Sequence, residues 1–178
     1  MDRFFAIVNP AAGGGRSAKL AGPALVRLRE KGLKIDVIAS TGQGHAVQLA
    51  REAYDQGYRR FLAVGGDGTA HEILNGVFAG RTAVQRIALG FLPLGTGNSF
   101  LRDFTEDGAA ASMQALAEGR TRAVDLLRLR HAAGEIYSFN LLSMGFTADV
   151  AALTNRMFKP FGDLGYLLGV FVRVAQLR

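Results

Sequence analysis

An acidic side chain lies inside a glycine-rich turn, Gly65-Gly66-Asp67-Gly68-Thr69. The apolar run 61–64 before this turn predicts a buried strand, and a helical pattern begins after it. A strand-to-helix turn directs free backbone N–H groups and the positive end of a helix dipole toward one point, which suits a phosphate group. Asp67 would repel a bare phosphate, so the turn indicates a carboxylate that acts beside phosphates through a metal ion, or on a hydroxyl that accepts a phosphoryl group. The pattern is therefore typical of phosphoryl transfer.

Three other loops of related composition follow predicted strands. They are Asn9-Pro10-Ala11-Ala12-Gly13-Gly14-Gly15-Arg16 after the strand 3–8, the loop with Thr41 after the strand 33–39, and Pro93-Leu94-Gly95-Thr96-Gly97-Asn98 after the strand 86–91. In the first of these loops, Arg16 is a candidate counter-charge for phosphates. We interpret the second glycine turn, around Gly95 and Gly97, as a place where a ligand approaches the backbone closely.

Helical patterns separate the predicted strands, and they include 45–56, 69–79 and 108–118. Strands that alternate with helices predict an α/β fold with a parallel sheet flanked by helices. In such a sheet the ligand lies at the carboxyl ends of the strands, where all four loops meet.

The pattern changes after about residue 121. Residues 123–131 and 135–144 predict two strands of an antiparallel hairpin, joined by a turn at 132–134, and helical patterns follow at 148–158 and 163–176. We therefore predict an α/β nucleotide-binding domain over 1–122 and a partial second domain over 123–178. A hairpin alone leaves two strand edges open, so a second copy of the chain could pair with it and form a homodimer.

Composition limits the class of protein. The chain has 178 residues, a formal net charge of +6, 49% hydrophobic residues and no cysteine. These values fit a globular protein of the reducing cytoplasm without a disulfide framework. The basic balance suits phosphate ligands or an anionic membrane face, and because no block of consecutive like charges occurs, we do not expect nucleic acid as a partner.

Several residues have simpler interpretations. Thr69 and Glu72 fit the Thr-x-x-Glu capping box at a helix start. The residues Gly13 to Ala18 fit G-x-G-x-x-A, and Asp36 on the next strand lies where a ribose-binding acid would be, so this loop alone would also fit a dinucleotide-dependent oxidoreductase. Asn75 would more simply form local hydrogen bonds. We expect His45 and His71 to be surface helix residues rather than metal ligands.

Taken in order, these motifs resemble the diacylglycerol kinase catalytic-domain family, the bacterial lipid kinases related to sphingosine and ceramide kinases. The matching elements are Asn9-Pro10 with Gly13, Thr41 with Gly44-His45-Ala46, Gly65-Gly66-Asp67-Gly68-Thr69 with Glu72 and Asn75-Gly76, Pro93 with Gly95-Thr96-Gly97-Asn98, Val124-Asp125-Leu126, Phe139-Asn140 and Gly145-Phe146. The Gly-Gly-Asp-Gly-Thr element is also similar to that of phosphofructokinases and NAD kinases.

The resemblance implies a phosphofructokinase-like nucleotide domain followed by the start of a β-sandwich lipid-binding domain. It implies transfer of the γ-phosphate of ATP, with Mg²⁺, to the hydroxyl of a lipid such as diacylglycerol, by a cytoplasmic enzyme that contacts the inner membrane face. Asp67 would then be the acid of the transfer centre. The candidate nucleotide-binding residues are Asn9, Pro10, Ala11, Ala12, Gly13, Arg16, Thr41, Gly65, Gly66, Asp67, Gly68, Thr69, Glu72, Asn75, Gly95, Thr96, Gly97 and Asn98.

The chain departs from the family pattern in two ways. Ser99 stands where family members commonly have an aspartate of the metal network, and Asp103 could substitute for that acid. The family also continues for roughly another hundred residues, which include a structural metal site and the acid proposed as catalytic base. The alternatives to a lipid kinase are a non-catalytic nucleotide-binding or interaction module and an NAD kinase-like enzyme.

Overall fold

A four-stranded parallel sheet with helices on both faces organises the protein in a computed structural model, which describes residues 3–102, 104–105 and 107–140. The strands of this sheet are β1 (Phe4–Val8), β2 (Ile35–Ala39), β3 (Arg60–Gly65) and β4 (Ala88–Pro93). The helices are α1 (Arg16–Glu30), α2 (His45–Asp55), α3 (Asp67–Phe78), α4 (Ser99–Arg102) and α5 (Gly108–Ala117). The strand order is β2-β1-β3-β4, and every neighbouring pair is parallel. The predicted α/β class is confirmed.

The central strand β3 is apolar because both of its faces are covered. Phe61 and Ala63 pack with α2 and α3, while Leu62 and Val64 pack with α1 and α5 on the opposite face. Alternate side chains of a strand point to opposite faces, so a run without polar residues is what a doubly covered strand requires. The two helices on the first face pack closely at Gly76, where a Cβ would overlap the carbonyl oxygen of Val47.

An antiparallel hairpin of β5 (Leu127–His131) and β6 (Gly134–Ser138) lies against α3. The backbone N–H and C=O of Tyr137 bond with the side-chain amide of Asn75, and the ring of Tyr137 lies 5.4 Å from that of Phe78. The predicted hairpin is confirmed, with strands shorter than the expected 123–131 and 135–144, because residues 123–126 and 139–140 are not strand. The compact unit that contains it spans Met1–Asn140. The division into domains at 122/123 stays a prediction, and the helices expected after residue 147 lie outside the described residues.

The helix boundaries differ from the expected ones at the edge that carries the loops. The third helix begins at Asp67 instead of Thr69, which places a carboxylate in the first turn, where it interacts favourably with the helix dipole. The short helix α4 was not predicted, because four residues are too few to show a helical period. Within the described ranges, no helix has the length and apolar character that a bilayer crossing requires.

Candidate functional site

Three of the four predicted loops meet at the carboxyl edge of the sheet. The carbonyl oxygen of Gly65 accepts hydrogen bonds from the N–H groups of Leu94 (2.8 Å) and Gly95 (3.0 Å). The N–H of Asn9 donates to the carbonyl oxygen of Val64 over 2.9 Å. The loops after β1, β3 and β4 therefore form one connected surface, as expected from the parallel topology.

Glycines allow these loops to approach each other. A Cβ on Gly95 would lie 2.5 Å from the Cα and 2.9 Å from the backbone nitrogen of Gly66. Gly13 has φ +63°, and a Cβ there would overlap the carbonyl oxygen of Leu94. Packing between loops therefore requires glycine at positions 13 and 95, so the close approach at the turn after β4 is to a neighbouring loop, and not only to a ligand as the sequence predicts.

The Asp67 carboxylate lies between the start of α3 and the start of α4. Its Oδ2 accepts hydrogen bonds from the backbone N–H (2.8 Å) and the hydroxyl (2.9 Å) of Ser99. Its Oδ1 accepts one longer bond of 3.3 Å from the N–H of Phe100. The side-chain amide of Asn140 in turn donates to the Ser99 hydroxyl over 3.0 Å. The predicted acid is thus held in one orientation by groups that are remote in sequence.

Two arginines and the loop after β4 line a small cavity near this acid. The cavity measures about 200 Å³, and its lining includes Arg16, Thr96, Gly97, Asn98 and Arg102. The Arg16 guanidinium donates to the carbonyl oxygen of Gly95 over 2.7 Å, as does the side-chain amide of Asn98 over 2.9 Å. Two arginines at one cavity suit an anionic group.

The starts of α1 and α3 have no side-chain cap. Neither helix shows a hydrogen bond from a capping side chain. The hydroxyls of Ser17 and Thr69, one in the first turn of each helix, are buried without a hydrogen-bond partner. Backbone carbonyl oxygens accept from the N–H groups of Arg16, Ser17 and Thr69 in these turns. Buried polar groups normally find partners, so the two unpartnered hydroxyls favour a ligand at this edge.

The capping-box interpretation of Thr69 and Glu72 is wrong. Thr69 makes no cap bond, and Glu72 instead accepts a hydrogen bond of 3.1 Å from the N–H of Ala46 at the start of α2. Because α2 and α3 pack closely, this carboxylate reaches the neighbouring helix start rather than that of its own helix. Glu72 therefore links the loop after β2 to the rest of the edge.

The loop after β2 contains Thr41, which is exposed. Both its N–H and its hydroxyl lie 3.0 Å from Nδ1 of His45, so this histidine orders the loop. His71, by contrast, is about half buried, and burial lowers its pKa. Its ring lies beside Asn75.

Asn75 is directed away from the other candidate residues. Its amide donates to the carbonyl oxygens of His71 (2.8 Å) and Tyr137 (2.9 Å) and accepts from the N–H of Tyr137 (2.9 Å). These bonds attach the hairpin to α3. A nucleotide contact for Asn75 stays a prediction that this geometry does not support.

Asp36 is engaged elsewhere, which disfavours the dinucleotide interpretation. Its carboxylate accepts hydrogen bonds from Arg3 (2.6 Å) and from the hydroxyl of Tyr58 (2.7 Å). The bond to Asp36 raises the pKa of Tyr58. A ribose would therefore have to compete with two existing partners of this acid.

Sequence reasoning missed the group of aromatic rings next to the acid. Neighbouring ring centroids in this group lie 4.6–5.8 Å apart, and its members are Phe91, Phe100, Phe104 and Phe139. The group connects β4, α4 and the end of the hairpin, and it supports the backbone that donates to Asp67. Asp103, the expected substitute for the missing acid, lies outside the described residues.

A wider groove lies at the other end of α3. It measures about 610 Å³, and Arg81, Arg128, Arg130 and Glu135 are among its lining residues. Arg128 is paired with Glu135, and Arg81 is paired with Asp55, so much of the positive charge of this groove is already compensated. None of the predicted site residues lines it, and we place the candidate site at the sheet edge.

Comparisons with known proteins identify the family of the chain. Residues 3–129 match the model of the diacylglycerol kinase catalytic domain. A diacylglycerol kinase of Mycobacterium tuberculosis is 31% identical over 182 residues, which cover 100% of this chain and 57% of that protein. Sphingoid long-chain bases kinase 1 of Arabidopsis thaliana is 28% identical over 179 residues, which cover 96% of this chain and 23% of that protein.

The fold comparison points to the same group of proteins. The crystal structure of a diacylglycerol kinase from Bacillus anthracis matches with a TM-score of 0.56 and 25% identity, over 70% of this chain and 45% of that one. This chain spans about half the length of the bacterial relatives that it matches. The family model covers residues 3–129, and the fold is similar to that of a solved diacylglycerol kinase. The chain therefore belongs to the diacylglycerol kinase catalytic-domain family of lipid kinases.

Proposed function

We propose that this protein binds ATP at the carboxyl edge of the sheet and takes part in transfer of its γ-phosphate to a lipid hydroxyl, with diacylglycerol as the acceptor that the relatives' names favour. The observation that supports this most is the position of Asp67. Its carboxylate is held by Ser99 and Phe100 beside an uncapped helix start and a cavity with Arg16. A phosphate site with an oriented acid is what phosphoryl transfer needs.

The phosphates would lie against the starts of α1 and α3. The unpartnered hydroxyls of Ser17 and Thr69 mark these two turns, and the positive end of each helix dipole favours an anion there. The N–H groups of Arg16, Ser17 and Thr69 already donate to backbone carbonyl oxygens, so they are not free donors. Arg16 lies at the mouth of the adjacent cavity, where its charge would offset that of a phosphate chain. In the transfer, the acceptor oxygen bonds to the γ-phosphorus as the bond to the ADP oxygen breaks, and the proton of the acceptor hydroxyl passes to a carboxylate or to water. Positioning and charge compensation are therefore the main tasks of the protein.

The donor set agrees with Mg²⁺ that arrives together with the nucleotide. Among the residues that the structure describes, no three His, Asp or Glu side chains cluster as metal ligands. Mg²⁺ is commonly held by one or two carboxylates and the substrate phosphates, and Oδ1 of Asp67, with its single long hydrogen bond, has capacity for this role. When bound, the ion would neutralise charge on the transferring phosphate.

The lipid acceptor implies contact with a membrane surface. We propose a cytoplasmic protein that meets the inner membrane face peripherally, in agreement with the net charge of +6 and the anionic character of that face.

A transfer assay tests the proposal. The chain is incubated with labelled ATP, Mg²⁺ and diacylglycerol in mixed micelles, and labelled phosphatidic acid is measured. We expect transfer that falls about a hundredfold or more in Asp67→Asn, since loss of an electrostatic group in the reaction centre has an effect of this order. Asp55→Asn is the matched control, because Asp55 is an exposed acid that pairs with Arg81 away from the site.

The other outcomes identify the alternatives. Phosphorylation of NAD in place of lipid would support an NAD kinase-like enzyme. ATP binding by calorimetry with no transfer to diacylglycerol, ceramide or sphingoid bases would refute the lipid kinase activity of this chain and favour a non-catalytic nucleotide-binding module.

We also propose a homodimer through the hairpin. Leu127 and Ile136 are 52% and 36% exposed, and Leu129, which pairs with Ile136, lies on the same face as Leu127. An apolar hairpin face of this kind suits a second copy of the chain. Light scattering tests this: a dimer that Leu127→Glu converts to a monomer supports it, and a monomeric wild type refutes it.

A further inference from the structure

The two oxygens of the Asp67 carboxylate have different environments. Oδ2 accepts two short hydrogen bonds, both from Ser99, at 2.8 Å and 2.9 Å. Oδ1 accepts one bond of 3.3 Å from Phe100, which is longer than the usual range for N–H···O bonds. One oxygen is therefore used for anchoring, and the other keeps most of its capacity as an acceptor.

Asn140 determines the direction of the Ser99 hydroxyl. A side-chain amide nitrogen can only donate, so the bond of 3.0 Å from Asn140 uses a lone pair of the serine oxygen. The single proton of that hydroxyl is then available for Asp67. Donation from Asn140 to Ser99 and from Ser99 to Asp67 forms a chain in which each bond polarises the next.

The chain of bonds joins three distant segments. Asp67 begins α3, Ser99 begins α4, 32 residues later, and Asn140 follows the hairpin, 41 residues after Ser99. The ring of Phe139 also lies 4.6 Å from that of Phe100, so the residue next to Asn140 packs on the residue next to Ser99. The position of the hairpin end is thereby coupled to the orientation of the acid.

We propose that Ser99 and Asn140 are positioning residues that hold Asp67 through Oδ2 and leave Oδ1 for the cation that accompanies the phosphate. The assignment of Oδ1 rests on the proposed function, whereas the positioning itself concerns the ligand-free protein. Ser99 and Asn140 act through Asp67 and need no contact with the reacting groups.

Amide hydrogen exchange of the ligand-free protein tests the positioning. The readouts are the exchange rates of the N–H groups of residues 99 and 100, which both donate to Asp67. In Ser99→Ala we expect these rates to rise about three- to tenfold, which corresponds to loss of one ordinary hydrogen bond. Ser99→Thr retains a hydroxyl and should keep the wild-type rates.

Asn140→Asp tests the direction of the proton. A carboxylate at this position accepts instead of donating, so the Ser99 hydroxyl would turn toward it and away from Asp67. We expect the same faster exchange as in Ser99→Ala. Gln56→Glu, the same chemical change at an exposed residue after α2, should leave both rates unchanged.

Wild-type exchange in Ser99→Ala or in Asn140→Asp, with an unchanged circular dichroism spectrum, would overturn the positioning role of that residue. If the wild type transfers phosphate, Ser99→Ala should lower kcat with the KM for ATP within about twofold, because a misplaced acid affects the transition state more than nucleotide binding. Faster exchange in Ser99→Ala with a kcat equal to that of the wild type would refute the role of Oδ1. A wild type without transfer activity would refute the proposed function but not the positioning of Asp67.

Discussion

Replacement of Asn75 by alanine distinguishes a structural role of this residue from a nucleotide-binding one. The residue is 9% exposed, and its amide forms two bonds with the backbone of Tyr137 and one with the carbonyl oxygen of His71. Alanine removes all three bonds and leaves the N–H and C=O of Tyr137 without these partners. The attachment of the hairpin to α3 then depends mainly on ring contacts and on Glu135.

The expected loss of stability follows from these bonds. A net contribution of about 1 kcal/mol per hydrogen bond, with partial exposure of the released backbone groups to water, gives a decrease of about 2–4 kcal/mol in the free energy of unfolding. Urea denaturation measures this decrease, and hydrogen exchange locates it, with the largest change expected at the amides of residues 135–138. Gln114→Ala, which removes an exposed amide bonded to Glu118, should change stability by less than about 0.5 kcal/mol.

One result would refute this reasoning. If Asn75→Ala unfolds like the wild type and retains protection in the hairpin, while its affinity for ATP falls, the amide serves the nucleotide and the sequence-based assignment is right. Loss of stability with unchanged ATP affinity in the fraction that remains folded supports the structural role.

Three further predictions concern the packing and the charges of the site. Burial lowers the pKa of His71 below its ordinary value of 6.5, so the unfolded chain binds a proton more readily than the folded one. The free energy of unfolding should therefore fall as the pH decreases through that value. Urea titrations from pH 7.5 to 5.5 should show that the stability of His71→Gln depends less on pH than that of the wild type. Gly95→Ala should lower the free energy of unfolding by about 1–3 kcal/mol in urea denaturation, since the added Cβ collides with the backbone of Gly66. A stability equal to that of the wild type would contradict the loop packing. Arg16→Ala should weaken ATP binding about tenfold in calorimetry, an effect of about 1.4 kcal/mol, if the charge of Arg16 faces a phosphate. Arg16→Lys should recover part of the lost affinity. Unchanged affinity in Arg16→Ala would limit the role of this side chain to its hydrogen bond with Gly95.

Hydrogen-bond partners explain most of the differences between the expected and the observed site. The Thr69–Glu72 motif has the spacing of a capping box, yet Glu72 bonds to Ala46 because close packing at Gly76 brings the start of α2 within reach. Asn75 bonds with Tyr137, 62 residues away in sequence. A local motif states which bonds a side chain can form, but the partner that it finds depends on which segments the fold brings near.

The elements of the fold follow from local patterns alone. Periodicity of apolar residues marked four strands and the helices between them, because burial on one or both faces of an element has a fixed spacing along the chain. The turn at Gly65-Gly66-Asp67 predicts an acid among phosphate-type loops, and a parallel topology places those loops at one edge of the sheet. These features depend on neighbours in sequence or on a rule of connectivity, so they can be predicted without coordinates.

Tertiary structure alone decided how the acid is held. The sequence shows that Ser99 replaces the aspartate common in the family, but it does not show the consequence of that replacement. The Ser99 hydroxyl donates a hydrogen bond to Asp67 and accepts one from Asn140 at the end of the hairpin. Such a bond requires distances near 3 Å between segments that are 32 and 41 residues apart, and these distances result from the packing of α3, α4 and the hairpin end. Sequence determines which chemistry is present at this edge, whereas packing determines which atoms remain available for it.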